Sequence, residues 1–162
     1  EGVGSIFVIT LPFELAEESE VKKSEELPID GTIDGLSLLL AEDNELNAEI
    51  AELQLKEAGA DVTIVRDGQQ AVDLFIEKPE GTFDAILMDI MMPVMDGLSA
   101  TRVIRVLDRE DAKTIPIIAM TANAFAEDAR RSMEAGMNAH LAKPLDMKKV
   151  ILTIQKCCDN KK

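Results

Sequence analysis

The stretch AILMDIMMPVMDG, residues 85–97, joins an apolar run to a carboxylate and then to a turn. Its first four residues carry no polar side chain, Asp89 follows them, and Pro93 and the Asp96–Gly97 pair interrupt any regular continuation. A short apolar run that ends in turn residues is typical of a strand covered on both faces of a sheet. Asp89 is therefore predicted at the carboxyl end of a buried strand, either as a turn carboxylate facing water or as a nucleophile or metal ligand.

Apolar runs of strand length recur on both sides of this stretch, and amphipathic stretches of helix length separate them. Five strands that alternate with five helices predict an α/β domain with a parallel sheet between two layers of helices. Right-handed crossovers leave few topologies, and we expect the doubly wound, flavodoxin-like strand order 2-1-3-4-5. The predicted strands are 36–41, 61–65, 84–88, 115–120 and 139–142.

The helices are predicted from the spacing of apolar residues and from their end signals. Leu46, Ile50 and Leu53 are four and three residues apart, which predicts the apolar face of the first helix. Gly59 then stands where a glycine commonly ends a helix. A single third helix is predicted over 98–109.

The composition excludes some classes of partner. The chain has 162 residues and a net charge of −14, so it offers no basic surface for nucleic acid or for an anionic membrane. No apolar run approaches the roughly 18 residues of a membrane span. Cys157 and Cys158 are adjacent, which suits neither a mutual disulfide nor a metal site. They indicate reduced thiols in a cytoplasmic protein.

Polar residues follow the predicted strands at the edge where parallel sheets bind ligands. Glu42 and Asp43 come after the first strand and Asp89 after the third, and these strands are neighbours at the switch point of the predicted order. Three carboxylates in one crevice repel one another, and a hard cation such as Mg²⁺ relieves that repulsion. Thr121 and Lys143 follow the fourth and fifth strands. A hydroxyl and an ammonium opposite three acids predict a phosphoryl group between them.

From about residue 36 to 156 the chain resembles the receiver domain of two-component signalling, the response-regulator fold. The matching motifs occur in the family's order along the predicted strands, which makes the combination specific. They are the acidic pair Glu42–Asp43, MDIMMPVMDG (88–97), MTANA (120–124) and GMNAHLAKPL (136–145).

The resemblance implies a role for each polar residue. Asp89 would be the nucleophile that becomes an acyl phosphate, with a phosphohistidine as the phosphoryl donor. Glu42 and Asp43 would hold Mg²⁺, together with Asp89 and the main-chain carbonyl of Met91. The phosphoryl donor and acceptor would be a histidine kinase domain or a histidine-phosphotransfer protein. Two residues would sense the phosphoryl group, Thr121 and Lys143.

The chain departs from the family's usual pattern at His140 and at Glu42, which stands in place of the commoner aspartate. His140, the single histidine, stands where receivers usually carry Phe or Tyr. We expect either a partly buried side chain at the end of the fifth strand or a switch residue that swings inward as Thr121 moves, with a pH-sensitive charge. Met91 offers nothing to orient a water molecule toward the phosphoryl group, which favours a long-lived phosphorylated state.

Residues 1–34 differ from the rest of the chain. EGVGSIFVITLPF (1–13) resembles the last part of a histidine-kinase ATP-binding domain, without the remainder that binds ATP. Residues 14–34 hold eight acids and two lysines and are predicted to be a linker. The expected organisation is thus a kinase remnant, an acidic linker, a receiver at 35–158 and a tail at 159–162. Such a fragment of a hybrid kinase would catalyse only its own phosphorylation, and any membrane anchor would lie in other segments of its parent.

Three other functions compete with the receiver as explanations of the sequence. A phosphatase of the haloacid-dehalogenase type looks for Asp-x-Asp, but Met91 occupies the second position. A flavodoxin needs a Ser/Thr/Gly-rich phosphate loop after the first strand, where this chain has AEDNELN (41–47). A phosphate-independent pseudo-receiver that acts as an interaction module remains the alternative. The sequence leaves the oligomeric state open, a weak homodimer included.

Overall fold

The computed structural model describes residues 32–122 and 126–159, and only the backbone of 126–128. The predicted kinase remnant, most of the linker and the last three residues of the tail lie outside this part. Its helices and strands, in chain order, are β1 (Ser37–Ala41), α1 (Glu45–Glu57), β2 (Asp61–Val65), α2 (Gly68–Glu77), β3 (Ala85–Asp89), α3 (Gly97–Arg105), α4 (Glu110–Thr114), β4 (Ile117–Thr121), α5 (Ala126–Ala135), β5 (Ala139–Ala142) and α6 (Met147–Asp159).

The five strands form one parallel sheet in the order β2-β1-β3-β4-β5, which confirms the predicted topology. β3 and β4 are buried along their whole length, as strands covered on both faces should be. Alternate residues of β3 belong to different hydrophobic clusters. Ile86 and Met88 share a cluster with residues of α2 and α3, whereas Ala85 and Leu87 share one with residues of α1 and α6. The sheet therefore lies between two layers of helices.

Side-chain caps start the helices that follow the functional edge of the sheet. Asn44, Asp67 and Asp96 each accept a hydrogen bond from a backbone N–H in the first turn of α1, α2 and α3. Gly59 ends α1 with a φ of 92°, as predicted. No helix in the described part of the chain is both long and apolar enough to cross a membrane.

The predicted apolar face of α1 is wrong. Leu46, Ile50 and Leu53 are exposed by 64%, 49% and 61%, and the residues that pack on the sheet are Ala48, Ala51 and Leu55. α1 therefore presents two alanines and Leu55 to the sheet in place of the predicted face. Three large apolar side chains thus stand in solvent on one face.

The single third helix predicted over 98–109 is also wrong. α3 ends at Arg105, and a separate short helix, α4, begins at Glu110. The break lets Arg109 turn toward the end of α2, where its guanidinium donates to the carbonyl oxygen of Lys78 at 2.9 Å. β4 begins two residues later than predicted, since Pro116 has no N–H to donate to a strand ladder. The described part of the chain therefore has six helices where five were predicted.

Candidate functional site

Three acidic residues meet at the carboxyl edge of the sheet. Asp89 is the last residue of β3, and Glu42 and Asp43 directly follow β1. Because Ala41 pairs in register with Met88, the residues that follow these two lie side by side. One carboxylate oxygen from each acid lies within 4.8 Å of the others. Oxygen ligands at this spacing suit a hard divalent cation such as Mg²⁺.

Lys143 neutralises part of this negative charge. Its ammonium donates to Glu42 Oε2 at 2.5 Å and to Asp89 Oδ2 at 2.6 Å. The backbone N–H of Lys143 donates to the carbonyl oxygen of Thr121 at 2.7 Å, which places the side chain beside β4. Burial acts to lower the pKa of Lys143, but the hydrogen bonds and charges of Asp89 and Glu42 outweigh it and raise that pKa. The ammonium therefore stays charged between the two acids.

Asp89 is buried, with 5% of its surface exposed. Burial is the largest influence on its carboxyl and raises the pKa above the ordinary value. Hydrogen bonds from Lys143 and from the backbone N–H of Met91, at 3.1 Å to Oδ1, act in the opposite direction. The Asp89 carboxylate is thus held from both sides at a fixed place in the crevice.

Thr121 ends β4 beside the acids. It is 6% exposed and lines, with Asp43 and Met91, a cleft of about 610 Å³ at this edge of the sheet. The side chain of Met91 is 75% exposed, so it leaves the mouth of the crevice open. The metal-binding role of the Met91 carbonyl stays a prediction.

The loop after β3 is held by its glycine. The backbone N–H of Gly97 donates to the carbonyl oxygen of Ile90 at 3.0 Å. A Cβ atom on Gly97 would lie 2.1 Å from the carbonyl oxygen of Asp89, so no other residue fits without a backbone shift. Glycine therefore lets α3 begin directly against the backbone of Asp89.

His140 does not lie where the sequence suggested. Its side chain is exposed, so the prediction of a partly buried histidine is wrong. β5 is the edge strand of the sheet, and of its four residues only Leu141 is buried. An edge strand leaves alternate side chains uncovered, which explains the exposure of His140. The inward swing of this residue stays a prediction.

Two contacts of Glu42 were not predicted from the sequence. Glu42 was expected as a metal ligand, and the structure also pairs it with Lys143. Asn47 had no predicted role, but its side-chain amide donates to Glu42 Oε1 at 3.0 Å. The signal available was the position of Asn47 in the first turn of α1, close to the acidic pair.

The fold agrees with what a comparison with protein families finds. Residues 38–155 match the family described as the response regulator receiver domain. The chain belongs to this family. The receiver domain accounts for all five strands and for the helices between them, and its match ends within α6.

Similar proteins carry receivers within longer chains. This chain is 40% identical over 113 residues to hybrid signal transduction histidine kinase I of Dictyostelium discoideum. The match covers 68% of this chain and 6% of that protein. The chain is 35% identical over 148 residues to the sensor protein EvgS of Escherichia coli, with 90% of this chain and 12% of that protein covered. The chain spans less than a sixth of the length of these relatives.

Solved receiver structures superpose over most of the described part. One is the receiver domain of a Pseudomonas aeruginosa sensor histidine kinase with a magnesium ion coordinated in its active site cleft. It has 42% identity and a TM-score of 0.69, and the match covers 77% of this chain and 98% of that one. Another is a Saccharomyces cerevisiae response regulator receiver crystallised with a histidine phosphotransfer signalling protein, at 26% identity and a TM-score of 0.69 over 78% of this chain and 90% of that one.

Proposed function

We propose that this receiver domain takes a phosphoryl group from a phosphohistidine onto Asp89 and passes it on in a two-component phosphorelay. One observation carries the proposal. The Lys143 ammonium lies between the carboxylates of Asp89 and Glu42, with Asp43 beside them. This set of charges can neutralise a phosphoryl group on Asp89 from more than one side.

The reaction that we propose is an in-line displacement. A carboxylate oxygen of Asp89 attacks phosphorus, the P–N bond of the donor breaks, and its electron pair stays on the imidazole nitrogen, which then takes up a proton. Lys143 moves from Asp89 Oδ2 to a phosphoryl oxygen, and the Thr121 hydroxyl donates to another. Four groups would hold the metal, namely Glu42, Asp43, Asp89 and the Met91 carbonyl. Mg²⁺ supplies charge neutralisation of the phosphoryl oxygens when bound.

The exposed face of α1 supports a helical protein as the phosphohistidine donor or acceptor. Leu46, Ile50 and Leu53 form an apolar stripe beside the site. Ile50 also lines a cavity of about 470 Å³ whose other walls include Glu42 and Lys143. A partner helix packed on this stripe would bring its histidine near Asp89. The receiver neighbour crystallised with a histidine phosphotransfer protein supports the same kind of partner.

We further propose that the parent protein is a cytoplasm-facing hybrid histidine kinase. The kinase names of the relatives support this, as does the resemblance of residues 1–13 to the end of an ATP-binding domain. Residues 14–34 would then be the tether between kinase and receiver. The Thr121 side of the molecule, with α5, β5 and α6, would carry the conformational change that follows phosphorylation.

The test of phosphorylation uses the chain with acetyl phosphate, with and without Mg²⁺, read by intact mass. We expect one phosphoryl adduct on the wild type in the presence of Mg²⁺ and none on Asp89→Asn. A folded wild type that forms no adduct would overturn the proposal in favour of the pseudo-receiver.

The same measurement with a phosphorylated histidine-phosphotransfer protein tests the partner surface. Leu53→Asp, at a position of the stripe that is 61% exposed, should slow transfer from this protein at least tenfold and leave the reaction with acetyl phosphate unchanged. Ile76→Asp is the matched control, since Ile76 is 51% exposed on α2, far from the stripe. Equal effects of the two substitutions would argue against docking on α1.

A further inference from the structure

We propose that Asn47 is a positioning residue that fixes the carboxylate of Glu42 for the metal and for Lys143. The inference rests on the proposed function and adds to it a residue that does not touch the reacting atoms. Asn47 lies in the first turn of α1, at the surface of the molecule. From there its side chain reaches inward to the buried acid.

Asn47 is itself held at two points. Its backbone N–H donates at 3.0 Å to Oδ1 of Asn44, which is the N-cap residue of α1. Its side-chain Nδ2 donates to Glu42 Oε1, also at 3.0 Å. The cap fixes the backbone of Asn47 in the helix, so the amide approaches Glu42 from a rigid element rather than from a loop. This is the arrangement that orients a ligand well.

The two oxygens of Glu42 are divided between two donors. Asn47 holds Oε1 and the Lys143 ammonium holds Oε2. Only 2% of Glu42 is exposed, so these two protein donors rather than bulk water satisfy its carboxylate. A buried carboxylate oxygen without a donor is unfavourable. Without Asn47, Glu42 would rotate toward Lys143 with both oxygens.

This division matters most when Lys143 leaves Asp89 for the phosphoryl group. A chain of hydrogen bonds runs from Asn47 through Glu42 and Lys143 to Asp89. If Glu42 were free, it could follow the ammonium and turn away from the metal. Asn47 keeps one oxygen of Glu42 in place while the other remains available to the ammonium or to Mg²⁺. Asn47 thereby keeps Glu42 oriented toward the metal whether or not its other oxygen is paired with Lys143.

The test is a Mg²⁺ titration of the full chain by calorimetry, combined with the Mg²⁺ dependence of phosphorylation by acetyl phosphate. Asn47→Ala should raise the Mg²⁺ dissociation constant about tenfold, as loss of an outer hydrogen bond to a metal ligand commonly does. At saturating Mg²⁺ the phosphorylation rate should change much less. Asn47→Leu, which is similar in size but has no amide donor, should weaken Mg²⁺ binding at least as much.

Lys56→Gly is the control for helix stability, because it weakens the last turn of α1 and leaves both the cap and the Asn47–Glu42 contact. It should lower the free energy of unfolding without changing the Mg²⁺ dissociation constant. A Glu42→Gln background then tests the route of the effect, since Asn47→Ala should change Mg²⁺ binding little once Glu42 is replaced. An undiminished tenfold effect in that background, or no effect in the wild type, would overturn the inference. A wild type that binds Mg²⁺ and forms no adduct would instead count against the proposed function alone.

Discussion

Val94 has a backbone conformation that β-branched residues rarely adopt. Its φ is 62°, in the left-handed region, and its side chain is 84% exposed. No packing compensates for this strain, which is worth about 1–3 kcal/mol for such residues. The neighbouring backbone imposes the conformation, since the N–H of Met95 donates to the carbonyl oxygen of Pro93 at 2.6 Å and Gly97 is fixed against Ile90.

We therefore expect Val94→Gly to raise the free energy of unfolding by about 1 kcal/mol, because relief of strain exceeds the added entropy of the unfolded chain. Urea denaturation followed by far-ultraviolet circular dichroism measures this. Val106→Gly is the matched control, since Val106 is 81% exposed but has a φ of −98°. It should leave stability unchanged or lower it. A loss of stability in Val94→Gly would show that the loop is not strained.

Arg109, the N-cap residue of α4, joins the start of α4 to the end of α2. Arg109 lies over the ring of Phe75, 4.5 Å from its centroid, and donates to the carbonyl oxygen of Lys78 at the end of α2. The same guanidinium donates to both carboxylate oxygens of Asp111, at 3.0 and 2.8 Å. These hydrogen bonds hold the pKa of Asp111 below its ordinary value of 3.8. The short α4 is thereby attached to α2 and to the apolar layer beneath.

This attachment should depend on pH in a definite direction. A folded pKa below the unfolded value stabilises the protein above pH 4, and the contribution is lost as the pH falls through the folded pKa. Asp111→Asn should lower the free energy of unfolding by about 1–2 kcal/mol at pH 7, and the difference from wild type should shrink between pH 4 and pH 2.

Guanidinium chloride denaturation across this pH range provides the measurement. Asp108→Asn, at an exposed neighbouring position, serves as the control and should show a small difference at every pH. A difference for Asp111→Asn that does not change with pH would mean that ionisation of Asp111 is not its source.

The strands could be predicted from the sequence because both faces of a parallel sheet are buried, so their apolar runs have one explanation. The apolar spacing of α1 fits either a face that is buried on the sheet or a face that is exposed to solvent. Leu46, Ile50 and Leu53 lie on an exposed face. The convergence of Asp43 and Asp89 follows from strand order alone. The contact of Asn47 with Glu42 depends on the rotation of α1 about its axis, which no local pattern reveals.

Across the whole molecule, stability and function oppose each other at the acidic edge of the sheet. Three carboxylates lie together, and Lys143 is the ammonium that pairs with two of them. The three carboxylates therefore still repel one another in the metal-free protein. Repulsion between unit charges at about 4 Å is worth on the order of 1 kcal/mol even in water. A bound cation would reverse the sign of this contribution.

Asp43→Asn should therefore raise the free energy of unfolding by about 1 kcal/mol without Mg²⁺. Mg²⁺ at about ten times its dissociation constant should stabilise the wild type by about 1.4 kcal/mol and the variant by far less. Urea denaturation with and without MgCl₂ measures both effects. Asp61→Asn removes an acid at the opposite end of the sheet and should change neither. A less stable Asp43→Asn in the absence of Mg²⁺ would contradict the expected repulsion.

The late position of Lys143 in the chain also sets when, during synthesis, the domain becomes able to take up a phosphoryl group. The lysine lies 101 residues after Glu42 and 54 after Asp89 along the chain, yet it contacts both. A ribosome-bound chain that has not produced residue 143 holds the three carboxylates without their ammonium. The contact forms only after β5 has joined the sheet, because contacts between distant residues wait for the rest of the fold. Unfinished copies of the chain should therefore be unable to take a phosphoryl group from finished ones and drain the signal.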